Sequence, residues 1–81
     1  MARALVTGAG GFVGANLVRA LIARNDEVHA CVRPGSSSWR LQGIEKALTI
    51  HEVDTTRPED IERAVVESKP AFVFHLAHYG G

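Results

Sequence analysis

Between Gly8 and Gly14 the chain carries four glycines in seven positions, and their spacing is the feature best suited to chemistry. The stretch reads Thr7-Gly8-Ala9-Gly10-Gly11-Phe12-Val13-Gly14. Counted from Gly8, the spacing G-x-G-x-x-G fails, because Val13 stands where its third glycine belongs. The spacing G-x-x-G-x-x-G fits through Gly8, Gly11 and Gly14. In such a loop the first glycine lets a strand turn sharply. The second leaves the backbone open to a pyrophosphate, and the third lets the following helix pack close to the sheet. A helix beginning there adds free N–H groups and a partial positive charge. Phe12 and Val13 would supply backbone donors. The bland alternative is a tight turn with no ligand, and the elements around the loop bear on the choice.

Other reactive side chains do not combine into a centre. His29 and His51 fall on separate expected strands with no third ligand in view, whereas zinc takes three or four. His75 reads as a satisfied strand histidine rather than a catalyst. Cys31 is the single cysteine, so no internal disulfide can form, and its place inside a strand makes it a small buried hydrophobe. Nine Lys and Arg balance nine Asp and Glu over 81 residues, with an isoelectric point near 6.9. That balance argues against sequence-blind nucleic-acid binding, which needs a basic face, and against a polybasic membrane anchor. No apolar run approaches the roughly 20 residues of a membrane span. The residues ahead of Thr7-Gly8 are too few for the apolar core of a signal peptide. A soluble, cytoplasmic protein is expected.

The elements that must hold the loop follow from the apolar period. Arg3–Val6 is a β-prone run. From Phe12 to Arg24 the apolar residues Val13, Leu17, Val18, Leu21 and Ile22 share one helical face, and Asn25 tolerates the left-handed conformation of a helix stop. Glu27–Val32 reads as a second strand. Pro34-Gly35-Ser36-Ser37-Ser38 is a loop, followed by a turn or two of helix in Trp39–Gly43, with Trp39 expected to cover the sheet edge. Ala47–Val53 reads as a third strand. Thr56 and Glu59 match a capping box with Pro58 in the first turn, Ile61, Ala64, Val65 and Ser68 continue that helix, and Pro70 stops it. Ala71–Ala77 is a fourth strand, apolar on both faces. Strands alternating with helices argue for a parallel sheet with right-handed crossovers. The expected fold class is α/β, a partial Rossmann fold with strand order 3-2-1-4 that is truncated after strand four. A glycine loop between a strand and a helix, with a second strand following, is the context that favours a ligand over a bare turn.

With these motifs in place, the sequence resembles the extended short-chain dehydrogenase/reductase family, the NAD-dependent epimerases, dehydratases and reductases. The resemblance rests on Thr7-Gly8-x-x-Gly11-Phe12-Val13-Gly14, on Val32-Arg33-Pro34-Gly35 after strand two, on Asp54-Thr55 after strand three, and on Phe74-His75-Leu76-Ala77 at the end of strand four. It implies that residues 1–81 are the N-terminal part of an NAD(P)-binding domain, with the catalytic and substrate parts absent. Relatives that prefer NAD carry an acid at the tip of strand two. Here Val32 and Arg33 stand there, and a guanidinium can pair with a 2′-phosphate. NADP is therefore favoured over NAD, the alternative being a solvated loop arginine. Ser36, Ser37 and Arg40 offer further phosphate contacts, but read first as plain loop. Asp54 resembles the aspartate that accepts a hydrogen bond from the adenine amino group, with Thr55 beside it. Equally, Asp54 reads as a turn-former bonding local backbone. Leu76, Ala77 and His78 resemble the segment beneath the cofactor's ribose and pyrophosphate, with His78 where many relatives have a second alanine.

The family's Tyr-x-x-x-Lys pair, in which the lysine tunes the phenol as acid or base, has no counterpart here. Tyr79 is the only tyrosine, and Lys46 and Lys69 precede it. No catalytic residue and no metal ligand are assigned. The expected function is that of the dinucleotide-binding segment of an epimerase, dehydratase or reductase. A nucleotide sugar is the expected substrate of hydride transfer, with steroid-type and pigment-type reductases open, and the parent protein is expected to be a homodimer. The alternative is a non-catalytic NAD(P)-binding or sensing module. A methyltransferase-like fold is disfavoured, since it expects an acid at the tip of strand two. Phe72, Val73, Phe74 and Leu76 would leave an apolar edge uncovered, which invites pairing and suggests an N-terminal piece of a longer protein. The cofactor expectation has a direct check. Wild type should be retained on immobilised 2′,5′-ADP more strongly than on 5′-AMP, and Arg33→Ala should abolish the difference; equal retention would remove the argument for NADP.

Overall fold

The computed structural model describes residues 2–35 and 39–76. The elements are β1 (Arg3–Thr7), α1 (Phe12–Ala23), β2 (Glu27–Val32), β3 (Leu48–Glu52), α2 (Pro58–Ser68) and β4 (Phe72–His75), with short 3-10 turns at Trp39–Leu41 and Glu45–Ala47. All strand pairs are parallel and the order is β3-β2-β1-β4, as expected. The step from β1 to β2 runs one way across the sheet, and the step from β3 to β4 runs back. Right-handed crossovers therefore place α1 and α2 on opposite faces.

The core records that division. Alternate strand residues point to opposite faces. Ala4, Val6, Val28, Ala30 and Val32 meet Ala15, Val18 and Leu21 of α1, with Leu41 closing the layer. Leu5 and Cys31 meet Val53 and Ala64 on the α2 face. Phe72 and Val73 of β4 are 56% and 52% exposed, so the expected apolar edge is present.

The ends of the helices show what local signals achieve. Asn25 has φ +67°. Its N–H donates to Ile22 O at 2.9 Å and that of Asp26 to Leu21 O at 3.0 Å, the two bonds of a Schellman stop. The capping box at Thr56 does not form. Arg57 is the cap residue and no side chain caps the helix. The Thr56 hydroxyl and N–H instead both donate to Asp54 Oδ1, at 2.6 Å and 2.9 Å, so the N–H that Glu59 would accept in a capping box is already taken. Trp39 does not cover the sheet edge either. It is 58% exposed, and the neighbouring Leu41 is the buried residue.

A polar ladder crosses the α2 face of the sheet. Arg3 Nε lies 3.0 Å from Glu27 Oε2, which also accepts His29 Nε2 at 2.8 Å. His29 Nδ1 and His51 Nε2 are 2.9 Å apart, and His51 Nδ1 faces Glu67 Oε1 of α2 at 3.6 Å. Glu27 can only accept, so His29 donates to it. The bond between the rings then needs one donor and one acceptor, and the pair holds at most one extra proton while it is intact. Burial first, and then His29, hold His51 below its ordinary value of 6.5, with Glu67 opposing. The unfolded chain thus takes up this proton before the folded one does. Stability should fall as the pH drops below 6.5 and level off beneath the depressed value. His51→Gln should flatten that part of the profile, read by thermal melts across the range.

Candidate functional site

In a parallel sheet the segments that follow the strands gather along one edge. Here these are the glycine loop after β1, Arg33–Gly35 after β2, Val53–Thr55 after β3 and Leu76 after β4. Thr7, the last residue of β1, is buried, and its hydroxyl organises the junction with β4. Thr7 Oγ1 accepts the Leu76 N–H at 3.0 Å and pairs with His75 Nδ1 at 2.8 Å. His75 is therefore a satisfied strand histidine, as its sequence context predicts, with a partner 68 residues away on β1. The role of Thr7 is not evident from the sequence pattern, although a threonine before the first loop glycine is its available signal.

The glycine loop is tightly folded. Gly8 has φ +68°, a conformation that a side chain would strain. Its carbonyl accepts the Gly11 N–H at 3.1 Å, and the Ala9 N–H reaches across to Cys31 O at 3.2 Å. A Cβ on Gly14 would overlap the Gly8 carbonyl oxygen and stand 2.8 Å from its carbon and 2.9 Å from Ala9 Cα. Gly14 thus lets α1 press against the end of β1. Gly11 differs. It is exposed, and a Cβ there would meet nothing nearer than Gly8 O at 3.5 Å, an ordinary contact.

Gly11 caps α1 with no side-chain hydrogen bond, and no acidic residue lies in the first turn. The N–H groups of Phe12, Val13 and Gly14 have no acceptor within the helix, so this end keeps its partial positive charge. Phe12 and Val13 carry exposed side chains, 70% and 64% accessible.

Arg33 is exposed just beyond the buried Val32. Asp54 forms a local turn, its Oδ1 accepting the Thr56 N–H at 2.9 Å as well as the hydroxyl. Its own N–H donates to Asp60 Oδ2 at 3.1 Å. The Thr56 hydroxyl, then the Thr56 N–H, hold the Asp54 carboxyl below its ordinary value; burial opposes, and the positive charges of Arg57 and Arg33 add to the effect. Asp54 is thus an ionised acceptor that also serves its turn. Thr55 follows it, half-buried. Ser36, Ser37, Ala77 and His78 lie outside the described residues. Arg40, expected as plain loop, reaches the glycine loop with its Nη1 3.3 Å from Gly10 O.

Burial pushes the Cys31 thiol up to about 11, so it is no nucleophile near neutral pH. Among the described residues no group of three or more His, Cys, Asp or Glu could hold a metal ion. No helix among them is long and apolar enough to cross a membrane. What the arrangement can do chemically is receive an anion against backbone N–H groups, with Arg40 bonded to the same loop.

Comparison with known proteins bears on this geometry. The sequence profile of the NAD dependent epimerase/dehydratase family matches residues 4–81. A UDP-glucose 4-epimerase of Thermus thermophilus, solved with NAD, is 34% identical with a TM-score of 0.79, over 93% of this chain and 24% of that one. The UDP-glucose 4-epimerase of Thermotoga maritima, solved with UDP-glucose, is 29% identical with a TM-score of 0.79, over 95% of this chain and 24% of that one. WbmG of Bordetella bronchiseptica, solved with NAD and UDP, is 27% identical with a TM-score of 0.81, over 99% of this chain and 26% of that one. Sterol demethylase protein B of Methylococcus capsulatus is 55% identical over 40 residues, 49% of this chain and 12% of that protein. The chain thus spans about a quarter of the length of these solved structures.

The two glycines that flank the first helical turn should respond differently to alanine. Gly14→Ala should cost about 3 kcal/mol or more, since backbone must shift to admit the methyl group. Gly11→Ala should cost within about 1 kcal/mol, the difference between glycine and alanine at a helix cap. Chemical denaturation of the two variants checks both values.

Proposed function

The chain belongs to the NAD dependent epimerase/dehydratase family, and on that premise we propose that residues 1–81 form the adenosine- and diphosphate-binding part of an NAD(P) domain. The observation that carries this reading is Gly11. The fold leaves room for a Cβ there, so no steric contact among the described residues requires glycine at the exposed mouth of an uncapped helix. A diphosphate resting on the backbone does account for it. The residues fit the cofactor in this respect: a backbone cradle, a positive helix end and no acid in the first turn.

In this reading Gly8, Gly11, Phe12, Val13 and Gly14 receive the diphosphate. Arg33 meets the adenosine ribose, and its charge favours NADP over NAD. Asp54 and Thr55 border the adenine, and Leu76, Ala77 and His78 pass beneath the ribose. Asp54 retains acceptor capacity for an amino group because its carboxyl is ionised. When bound, the nicotinamide supplies hydride exchange with a carbinol carbon. This chain's residues bind and orient the cofactor; the acid–base pair of the reaction is not assigned to any of them. The substrate class we propose is a nucleotide sugar, supported by relatives solved with UDP-glucose and with UDP. A cytoplasmic, homodimeric parent protein is part of the same reading. The sterol demethylase relative favours a second substrate class, a sterol-like carbinol.

Calorimetric titration tests the cofactor reading. The full natural protein should bind NADP more tightly than NAD. Gly11→Ala should lose about tenfold or more in affinity for both, or about 1.4 kcal/mol, while its melt stays near that of wild type. Unchanged affinity in Gly11→Ala would sink the assignment. A melt raised by UDP-sugar supports the first substrate class, and one raised by a sterol supports the second.

A further inference from the structure

A loop that receives a diphosphate must turn N–H groups toward it and carbonyl oxygens away, since each carbonyl presents lone pairs to an anion. Within the glycine loop two carbonyls are turned by backbone alone. Gly8 O accepts the Gly11 N–H at 3.1 Å, and Gly11 O accepts the Ala15 N–H at 2.9 Å. Gly10 O is handled differently. Its partner is a side chain thirty residues further on, Arg40 Nη1 at 3.3 Å.

Several contacts set the place of Arg40. Its guanidinium carbon lies 4.5 Å from the centroid of the Trp39 ring, a stacking geometry that favours arginine. Its own carbonyl accepts Arg19 Nη2 of α1 at 2.7 Å, and the same nitrogen reaches Gln42 O at 3.3 Å. The adjacent Leu41 is fully buried in the core layer beside α1. The turn Trp39–Leu41 is thereby bound to α1 and to the loop that starts α1. The exposed Trp39 has its use here as the platform for the guanidinium.

We infer that Arg40 is a positioning residue of the glycine loop, capping the Gly10 carbonyl so that its lone pairs are held off the diphosphate and a fixed positive charge stands beside it. This rests on the dinucleotide-binding reading above and assigns Arg40 a different task from Arg33. Arg33 distinguishes cofactors by the 2′-phosphate. Arg40 acts on the part that NAD and NADP share, and so does not distinguish them.

The test is titration of NAD and NADP into the full natural protein as wild type, Arg40→Met and Arg40→Lys. The methionine variant should weaken both dinucleotides by the same factor, about tenfold for the loss of a charge-assisted hydrogen bond. The lysine variant, which keeps a charge and a donor, should recover most of that loss, a rescue that loop tethering alone does not predict. Arg40→Gln takes the place of the methionine variant if that one does not fold, and the same equal loss is required of it. Wild type that binds neither dinucleotide overturns the functional reading and this inference with it. Wild-type binding with unaltered variants overturns the inference alone. So does a loss confined to NADP, which would make Arg40 a 2′-phosphate ligand, or a loss that lysine fails to rescue.

Discussion

The first turn of α1 lies against the end of β1 so closely that a methyl group at Gly14 would overlap the Gly8 carbonyl. Much else follows from that approach. It aims the free N–H groups of α1 past the strand end, along the edge where the other strands also finish. It places Ala15, Val18 and Leu21 over Val6, Ala30 and Val32, so that one apolar layer forms without a long side chain at the junction. It also leaves Gly11 outward and uncrowded. One glycine thus serves the packing of the protein, and another stands open at the mouth of α1.

The two faces of the sheet are held by different physics. The α1 face is an apolar layer, closed by Leu41 and partly by Phe74. The α2 face has a smaller apolar cluster and a ladder of charged and imidazole groups from Arg3 to Glu67. A buried imidazole pair is stable only while its donors and acceptors match. The α2 face therefore carries the group, His51, whose depressed pKa links protonation to folding. The β1–β4 junction joins the two through Thr7, whose hydroxyl meets both His75 and the Leu76 backbone.

Much of this is legible in the residues. The bounds of β2, the start of α1 at Phe12, the stop at Asn25 and the strand order all follow from apolar period, glycine and proline, because those signals act over a few residues. The misreadings have a common cause. Thr56 has the spacing of a cap, yet Asp54 accepts both its N–H and its hydroxyl. Trp39 has the size of a core residue, yet Leu41 takes the buried place. In each case two local candidates are available, and three-dimensional placement chooses between them.

The alternation of strands and helices, the parallel sheet and the glycine spacing are written in the residue order, since periodicity and backbone conformation are properties of neighbouring residues. Folding in three dimensions is what makes His29 share a proton position with His51, Thr7 hold the end of β4, and Arg40 meet Gly10. These partners lie 22 to 69 residues apart. No local spacing encodes such a pairing; it arises when the crossovers bring distant segments to the same edge and unpaired donors find the acceptors left there.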